Sequence, residues 1–409
     1  MLQYQAVQGY RVVFIHPSWS HVYGSYRHAA RLALLFPPLG ICCLAAALRQ
    51  RFPGIELRVI DAEAEGWNDA RVQEEVTRYA PDLVAFTSTT PLADRVYALS
   101  AALRRTLPTA LQAAGGSHFT VLPGEALAAC ATLDFAVAGE GEETLAELVA
   151  CLAAGQEPGP IAGLYQRRNQ EILPGKPRPL LADLDRLPFP ARDLLPVSRY
   201  GWSVPGLGLR PFTTFFTVRG CPFQCIFCSA RNIFGRTVRT RNLERVTEEL
   251  KEVHGRWGIT HFFDIDDTVT LDPKRTRDLC RLLRGTGLPL TWEGSTRAEN
   301  LTLELLQEMR ASGFVRISFG IESGNPGVLK LLQKGTDLGY IRQAFRWAKE
   351  AGMETKGSAI LGHPSETRKT LRDTLRYCWS IPQMDQLYLN ICTPYPGTPL
   401  FKRMEAEGR

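Results

Sequence analysis

The sequence has no apolar run of about 18 residues, the length a membrane-crossing helix needs. Its start, Met1-Leu2-Gln3-Tyr4-Gln5, has no basic segment leading into an apolar one, so a secretory leader is not expected. Arg and Lys form no long block and the net charge is only +6, so nucleic acid is not an expected partner. The ten cysteines lack paired spacings, which argues against a disulfide scaffold and suits a reducing, cytoplasmic setting. Internal repeats and low-complexity tracts are missing as well. What remains is a chain of 409 residues, 44% hydrophobic and 22% charged, an ordinary globular composition long enough for two domains.

One stretch just past the midpoint organises the rest. In Arg219-Gly220-Cys221-Pro222-Phe223-Gln224-Cys225-Ile226-Phe227-Cys228, three cysteines stand in a C-x3-C-x2-C spacing after the strand-like run Thr213–Val218. Closely spaced thiolates on a loop suit a soft metal centre, either zinc or an iron–sulfur cluster. Tetrahedral zinc wants a fourth ligand, usually from a second Cys or His pair. The next candidates, His254 and Cys280, stand alone. Three ligands on a four-iron cluster leave one iron open for chemistry, and a purely structural cysteine loop is the remaining alternative.

Residues 1–154 alternate short apolar runs with amphipathic helical stretches, which predicts an α/β domain with a doubly wound parallel sheet. Strands are expected at Arg11–Ile15, Glu56–Ile60, Asp82–Thr87, Leu111–Ala114 and Asp134–Ala138. Ligands in such sheets sit beyond the carboxyl ends of the strands. The residues there include Ser88-Thr89-Thr90, Gly115-Gly116-Ser117-His118 and Gly139-Glu140-Gly141-Glu142, small enough to admit a large ligand close to the backbone. Residues 155–211 hold ten prolines and read as a semi-rigid linker, with a hairpin turning at Asn169-Gln170. Residues 212–409 then give six strand–helix steps, five with a full helix, which fits an incomplete α/β barrel. Its expected strand ends carry Asp264-Ile265-Asp266-Asp267, Glu293-Gly294-Ser295-Thr296-Arg297, Gly320-Ile321-Glu322-Ser323-Gly324 and Gly357–Gly362. Rim salt bridges among Asp266, Asp267 and Arg297 are the structural alternative to a binding role.

The cysteine motif, with Phe227 before its last cysteine, resembles the signature of the radical S-adenosylmethionine (SAM) family. That resemblance implies a [4Fe–4S] cluster on Cys221, Cys225 and Cys228 and a barrel of partial (β/α)6 type. It also implies that reductive cleavage of SAM yields a 5′-deoxyadenosyl radical. By position, Phe227, Asp266, Arg297, Glu322 and Gly362 are then the expected SAM-binding residues: Asp266 for the amino group, Arg297 for the carboxylate and Glu322 for the ribose. The ordered set Pro37-Pro38-Leu39-Gly40, Ile60-Asp61-Ala62, Gly115–His118 and Gly139–Thr144 resembles the flavodoxin-like cobalamin-binding domain that precedes many such cores. Gly40, Ser88, Gly116, Ser117 and Glu140 are the residues this implies for cobalamin. None of the seven histidines follows an Asp by two positions, so the histidine that ligates cobalt in the wider cobalamin fold is not expected. The motif order resembles the branch that includes the anaerobic magnesium-protoporphyrin IX monomethyl ester cyclase, a branch that also holds many methylases. It implies a small-molecule substrate and an external electron donor such as flavodoxin or ferredoxin. Methylation of an unactivated carbon, an oxidative cyclisation or other radical reaction, and a non-enzymatic metal-holding role are the three functions it leaves open. The run Thr393–Leu400 is a further family feature, and the stop at Arg409 reads as either a minimal or a truncated core. No catalytic side chain is named by the sequence.

Overall fold

The computed structural model describes residues 7–20 and 35–408; Met1–Gln5, where a leader was sought, lie outside them. The chain separates into two compact units. One runs to Tyr200 and includes Asn232–Phe234, and the other comprises Gly201–Arg231 and Gly235–Arg409.

The first unit is built on strands β1 (Arg11–His16), β2 (Glu56–Asp61), β3 (Leu83–Thr87), β4 (Leu111–Gly115), β5 (Phe135–Val137), β6 (Leu164–Arg168) and β7 (Glu171–Leu173). They lie in the order β2-β1-β3-β4-β5-β6-β7. The first five are parallel, and β3 is buried along nearly its whole length, as a sheet covered by helices on both faces requires. Val13, Ile15, Val84 and Phe86 pack there with Val96 and Leu99 of helix Ala93–Thr106. This is the flavodoxin-like strand order, whose ligand crevice falls where the order reverses, between β1 and β3.

The expected linker 155–211 is not a spacer throughout. Asn169 and Gln170 both take positive φ, 50° and 69°, the backbone of a tight two-residue hairpin turn. The hairpin they close adds β6 and β7 antiparallel to β5 in the first sheet. An unpaired sheet edge is a template for any extended segment, and the proline count alone did not reveal that the edge was there. Beyond Tyr200, β8 (Gly201–Val204) pairs antiparallel with β9 (Gly208–Phe215) in the second unit.

That second unit continues with a small ribbon, β10 (Val218–Arg219) and β11 (Arg239–Thr240), then β12 (His261–Asp264), β13 (Thr291–Thr296), β14 (Phe314–Glu322), β15 (Glu354–Leu361) and β16 (Gln386–Ile391). The sheet order is β16-β15-β14-β13-β12-β9-β8. Strands β9 and β12 to β16 run parallel to one another, giving the six-stranded partial barrel expected. Helices Leu243–Trp257, Pro273–Gly285, Leu303–Ala311, Leu338–Glu350 and Arg368–Trp379 each start at a side-chain cap: Asn242, Asp272, Thr302, Asp337 and Thr367. Such caps satisfy orphan N–H groups and are worth about 1 kcal/mol each. Phe319 of β14 meets Phe345 of helix Leu338–Glu350 at 4.9 Å, so the odd-numbered residues of β14 face the helices. Because side chains alternate along a strand, Arg316, Ser318, Gly320 and Glu322 line the inner face. No helix among the described residues is long and apolar enough to cross a membrane.

Candidate functional site

The cysteine loop leaves β10 through Gly220, whose φ of +99° a side-chain-bearing residue rarely adopts. Cys221, Cys225 and Cys228 are half-buried and unpaired to any disulfide. Backbone bonds hold the loop independently of the sulfurs. Ile226 N–H donates to the Leu332 carbonyl at 3.1 Å, and Leu400 N–H donates to that of Ile226 at 3.1 Å. Ile226 packs with Val328, Leu332 and Leu400, and Phe227 lies against the same group, so Phe227 has a packing role in this structure. Burial pushes the Cys228 thiol up to about 11 and also raises Cys221, so iron must displace protons to bind there. Among the described residues, no three Cys, His, Asp or Glu side chains converge on one point, as a single zinc ion would require. A cluster that gives each thiolate its own iron needs no such convergence, so the loop fits the cluster better than zinc.

At the strand ends the structure revises several sequence assignments. Asp266 is buried with both oxygens committed: Oδ1 accepts from Thr217 N–H at 2.8 Å and Val218 N–H at 2.9 Å, and Oδ2 from the Thr217 hydroxyl at 2.6 Å. It braces the segment entering the cysteine loop. Its neighbour Asp267 is exposed and lies near enough to Cys221 and Cys228 to raise their thiols. Arg297 does reach the loop. Its guanidinium lies 3.9 Å over the Phe223 ring, Nη1 is 3.5 Å from Cys225 Sγ, and Nη2 donates to the Lys334 carbonyl. Nε is 3.2 Å from Glu299, so the planar fork is engaged within the protein and is not a free carboxylate clamp.

Glu322 ends β14 at φ +61°, in a left-handed conformation uncommon for a residue with a side chain. Its carboxylate accepts from Lys334 Nζ at 2.9 Å, in a pair that is almost fully buried. A side chain at Gly320 would collide with both groups, which is why that position is glycine. Lys334 was missed by the sequence reading; it ties Arg297, through its carbonyl, to Glu322, through its ammonium. Gly362, at φ +84°, has open space beside its Cα, and its N–H donates to Glu366 at 2.7 Å.

In the first unit, Ser88 is buried and its backbone locks the ends of β3 and β4. Its N–H donates to the Gly115 carbonyl at 2.9 Å, and its carbonyl accepts from His118 N–H at 3.2 Å. A Cβ on Gly116 would come within 2.6 Å of that carbonyl, so this glycine serves the loop itself. Glu140 accepts from Leu181 N–H at 2.7 Å, which gives it a structural bond in place of the cofactor contact expected. His118 is held by Tyr97 at 3.1 Å and its pKa is lowered by burial. Ser117 is half-buried, beside the exposed Gly116. Gly40 and Gly139 have nothing within 4 Å of where a Cβ would stand, which leaves the open backbone a large planar ligand needs. Gly40→Phe should therefore fold as the parent does yet lose cobalamin, read from corrinoid content after reconstitution; full loading would show the ligand lies elsewhere. One histidine–carboxylate contact was invisible to the Asp-two-before-His test. His16 Nδ1 lies 3.4 Å from Asp61, which is buried and accepts from the Tyr200 hydroxyl at 2.8 Å.

The comparisons with known proteins follow the same division. Residues 29–149 match the model of the B12 binding domain and residues 215–378 that of the radical SAM superfamily. An uncharacterized methyltransferase of Pyrococcus horikoshii is 34% identical over 90% of this chain and 78% of its own length. The chain belongs to the radical SAM proteins with a B12-binding domain. It is 30% identical to the anaerobic magnesium-protoporphyrin IX monomethyl ester cyclase of Cereibacter sphaeroides over 96% of this chain and 63% of that protein. The structure of TsrM, a radical SAM methyltransferase from Kitasatospora setae with cobalamin and a [4Fe–4S] cluster bound, matches with a TM-score of 0.78 at 19% identity. It covers 98% of this chain and 75% of that one, a likeness of fold. Membership makes the chain an enzyme, and a [4Fe–4S] cluster, SAM and cobalamin are the cofactors of its two domains.

Proposed function

We propose that this enzyme transfers a methyl group to an unactivated carbon of a small molecule. The observation that carries the reading is the near full-length similarity to a methyltransferase, together with both cofactor domains in one chain. The cofactors supply the hard chemistry, reductive cleavage of SAM and delivery of methyl from the corrinoid. The protein's part is to hold and orient them. Cys221, Cys225 and Cys228 ligate the cluster, and Arg297 keeps positive charge beside the Cys225 sulfur. Phe227, the Glu322–Lys334 pair and the opening at Gly362 border SAM, with Asp266 acting on the site by fixing Thr217 and Val218. Gly40, Ser88, Gly116, Ser117 and Glu140 shape the cobalamin crevice, of which Gly40 and Ser117 are the positions open to contact. An electron donor such as flavodoxin or ferredoxin supplies the reducing electron.

The cyclase-like reading is favoured by the similarity across 96% of this chain, and one experiment separates the two. The enzyme is given SAM with a deuterated methyl group and an extract from cells lacking it. Methyl transfer predicts a labelled product, with 5′-deoxyadenosine and S-adenosylhomocysteine forming in parallel. Formation of 5′-deoxyadenosine alone, with no label transferred, would sink the methylase reading and support an oxidative reaction. The bound cobalt should be base-off, with no nitrogen coupling in its paramagnetic spectrum. Coupling lost in His16→Phe would identify His16 as a ligand and overturn that expectation.

A further inference from the structure

Closed eight-stranded α/β barrels usually fill their interior with branched apolar side chains. Here much of the inner face is polar. Strand alternation puts Ser295 of β13, Ser318 of β14, Ser358 of β15 and Tyr388 of β16 on that face. Ser295 and Tyr388 are exposed and the other two half-exposed, so the interior is open rather than packed. Beneath them lies a buried charged layer. Glu293 Oε1 accepts from the Trp202 indole at 2.5 Å, from His261 Nε2 at 3.0 Å and from Arg316 Nη1 at 2.9 Å. Arg316 is in turn fully used, donating to Glu354 at 2.8 Å and to the Ser203 carbonyl at 2.9 Å.

Lys356 is the exception in this layer. It is 7% exposed, and its nearest carboxylate oxygen, Glu293 Oε2, is 3.7 Å away, longer than a hydrogen bond. Its ammonium instead sits 5.2 Å from the Trp202 ring and 5.8 Å from that of Tyr388. An ammonium has three donors, Glu293 faces them only at ion-pair distance, and an anion entering the open barrel would complete the site. Burial pulls the Lys356 pKa down, while Glu293 and Glu354 oppose that and Arg316 adds to it. Closing the site with an anion would relieve this imbalance.

We propose that the substrate is an anionic small molecule whose carboxylate or phosphate is received by Lys356 at the floor of the barrel, with hydroxyl-bearing residues along the wall above. The proposal rests on the chain being a radical enzyme that acts on a small molecule, but not on the fate of the methyl group. The residues from Lys356 to Leu361 span roughly 16 Å of strand, so the anionic group is remote from a carbon that reacts at the strand ends. Binding energy from such a remote group holds the reacting carbon in place. A wholly apolar substrate would offer nothing to the remaining Lys356 donors or to the serine wall.

The test uses the reconstituted enzyme and stimulation of 5′-deoxyadenosine formation, which reads substrate engagement whatever product follows. An extract of cells lacking the enzyme is split into a fraction retained on an anion exchanger, a neutral aqueous fraction and a lipid fraction. The retained fraction should stimulate. Loss of that stimulation on phosphatase treatment identifies a phosphate, and its survival a carboxylate. Lys356→Met should raise the half-saturating amount of that fraction about ten- to a hundredfold, the range a lost charge-assisted hydrogen bond covers, while Lys356→Arg recovers much of it. Stimulation by the neutral or lipid fraction would overturn the proposal, as would an unchanged response in Lys356→Met. Methyl transfer is scored separately from the deuterium label, so its failure leaves this outcome readable.

Discussion

The triple variant Cys221→Ala, Cys225→Ala, Cys228→Ala is expected to fold, bind no iron and make no 5′-deoxyadenosine. The parent, reconstituted without oxygen, should carry about four iron and four sulfide per chain. Folding should survive because the loop is pinned by Ile226, through backbone bonds to Leu332 and Leu400 and a small apolar group, while the three sulfurs are only half-buried. Half-buried side chains outside the core usually cost little when truncated. Loss of chemistry should be complete, since thiolates are the ligands of such a cluster and each cysteine removed strips one iron of its ligand. Iron and labile-sulfide analysis with circular dichroism decides it. A variant that keeps its visible absorption, or a parent that holds zinc in place of iron, would overturn the assignment.

Much of the fold was legible because each strand is a local apolar run bounded by turn residues. The strands expected at Arg11–Ile15, Glu56–Ile60 and Leu111–Ala114 are all present, each one residue longer. Strand β14 runs two residues past its expected end, through a bulge between Gly320 and Glu322, because Glu322 adopts a left-handed conformation that no residue pattern announces. The hairpin at Asn169-Gln170 was legible from its turn. Its membership of the first sheet was not, because β6 pairs with β5 across a helix and a connection.

The site divides along the same line. The cysteines are adjacent in sequence and could be read directly. Asp266, Arg297 and Glu322 were placed on the right strand ends, but their partners lie far away in sequence. Asp266 bonds to Thr217, Arg297 approaches Cys225 and Lys334, and Glu322 pairs with Lys334. Residue type suggests what a side chain can bind; only the fold shows that a protein group already occupies it. Arg297 and Glu322 are joined through Lys334 and Asp266 makes a separate brace, so substitutions there should disturb cluster loading as well as SAM binding.

Asp266→Ala should show that coupling most strongly. It strands two buried N–H groups, Thr217 and Val218, together with the Thr217 hydroxyl. Unsatisfied buried donors cost about 1–3 kcal/mol each, so a loss of roughly 3–5 kcal/mol is expected, with lower iron content after reconstitution. Denaturant unfolding and iron analysis read the two effects. Unchanged stability with weakened SAM binding would instead make Asp266 a direct ligand of SAM. The neighbouring Asp264 supplies a control. It is fully buried, burial and the Asp266 charge raise its pKa well above the ordinary carboxyl value, and its Oδ1 accepts from Asp266 N–H at 2.9 Å. Asp264 therefore holds its proton to a higher pH than a free carboxyl group does. An acid whose folded pKa is raised adds stability that is fully present below its unfolded pKa, about 4, and is lost as pH rises through the folded value. The loss approaches about 1.4 kcal/mol per pH unit for one proton within that window. Asp264→Asn keeps a carbonyl oxygen to accept from Asp266 N–H but cannot titrate. Its stability should fall less steeply across that window than that of the parent, since Asp266, whose pKa burial raises to about 6, still titrates, and parallel curves for the two proteins would refute the raised Asp264 pKa.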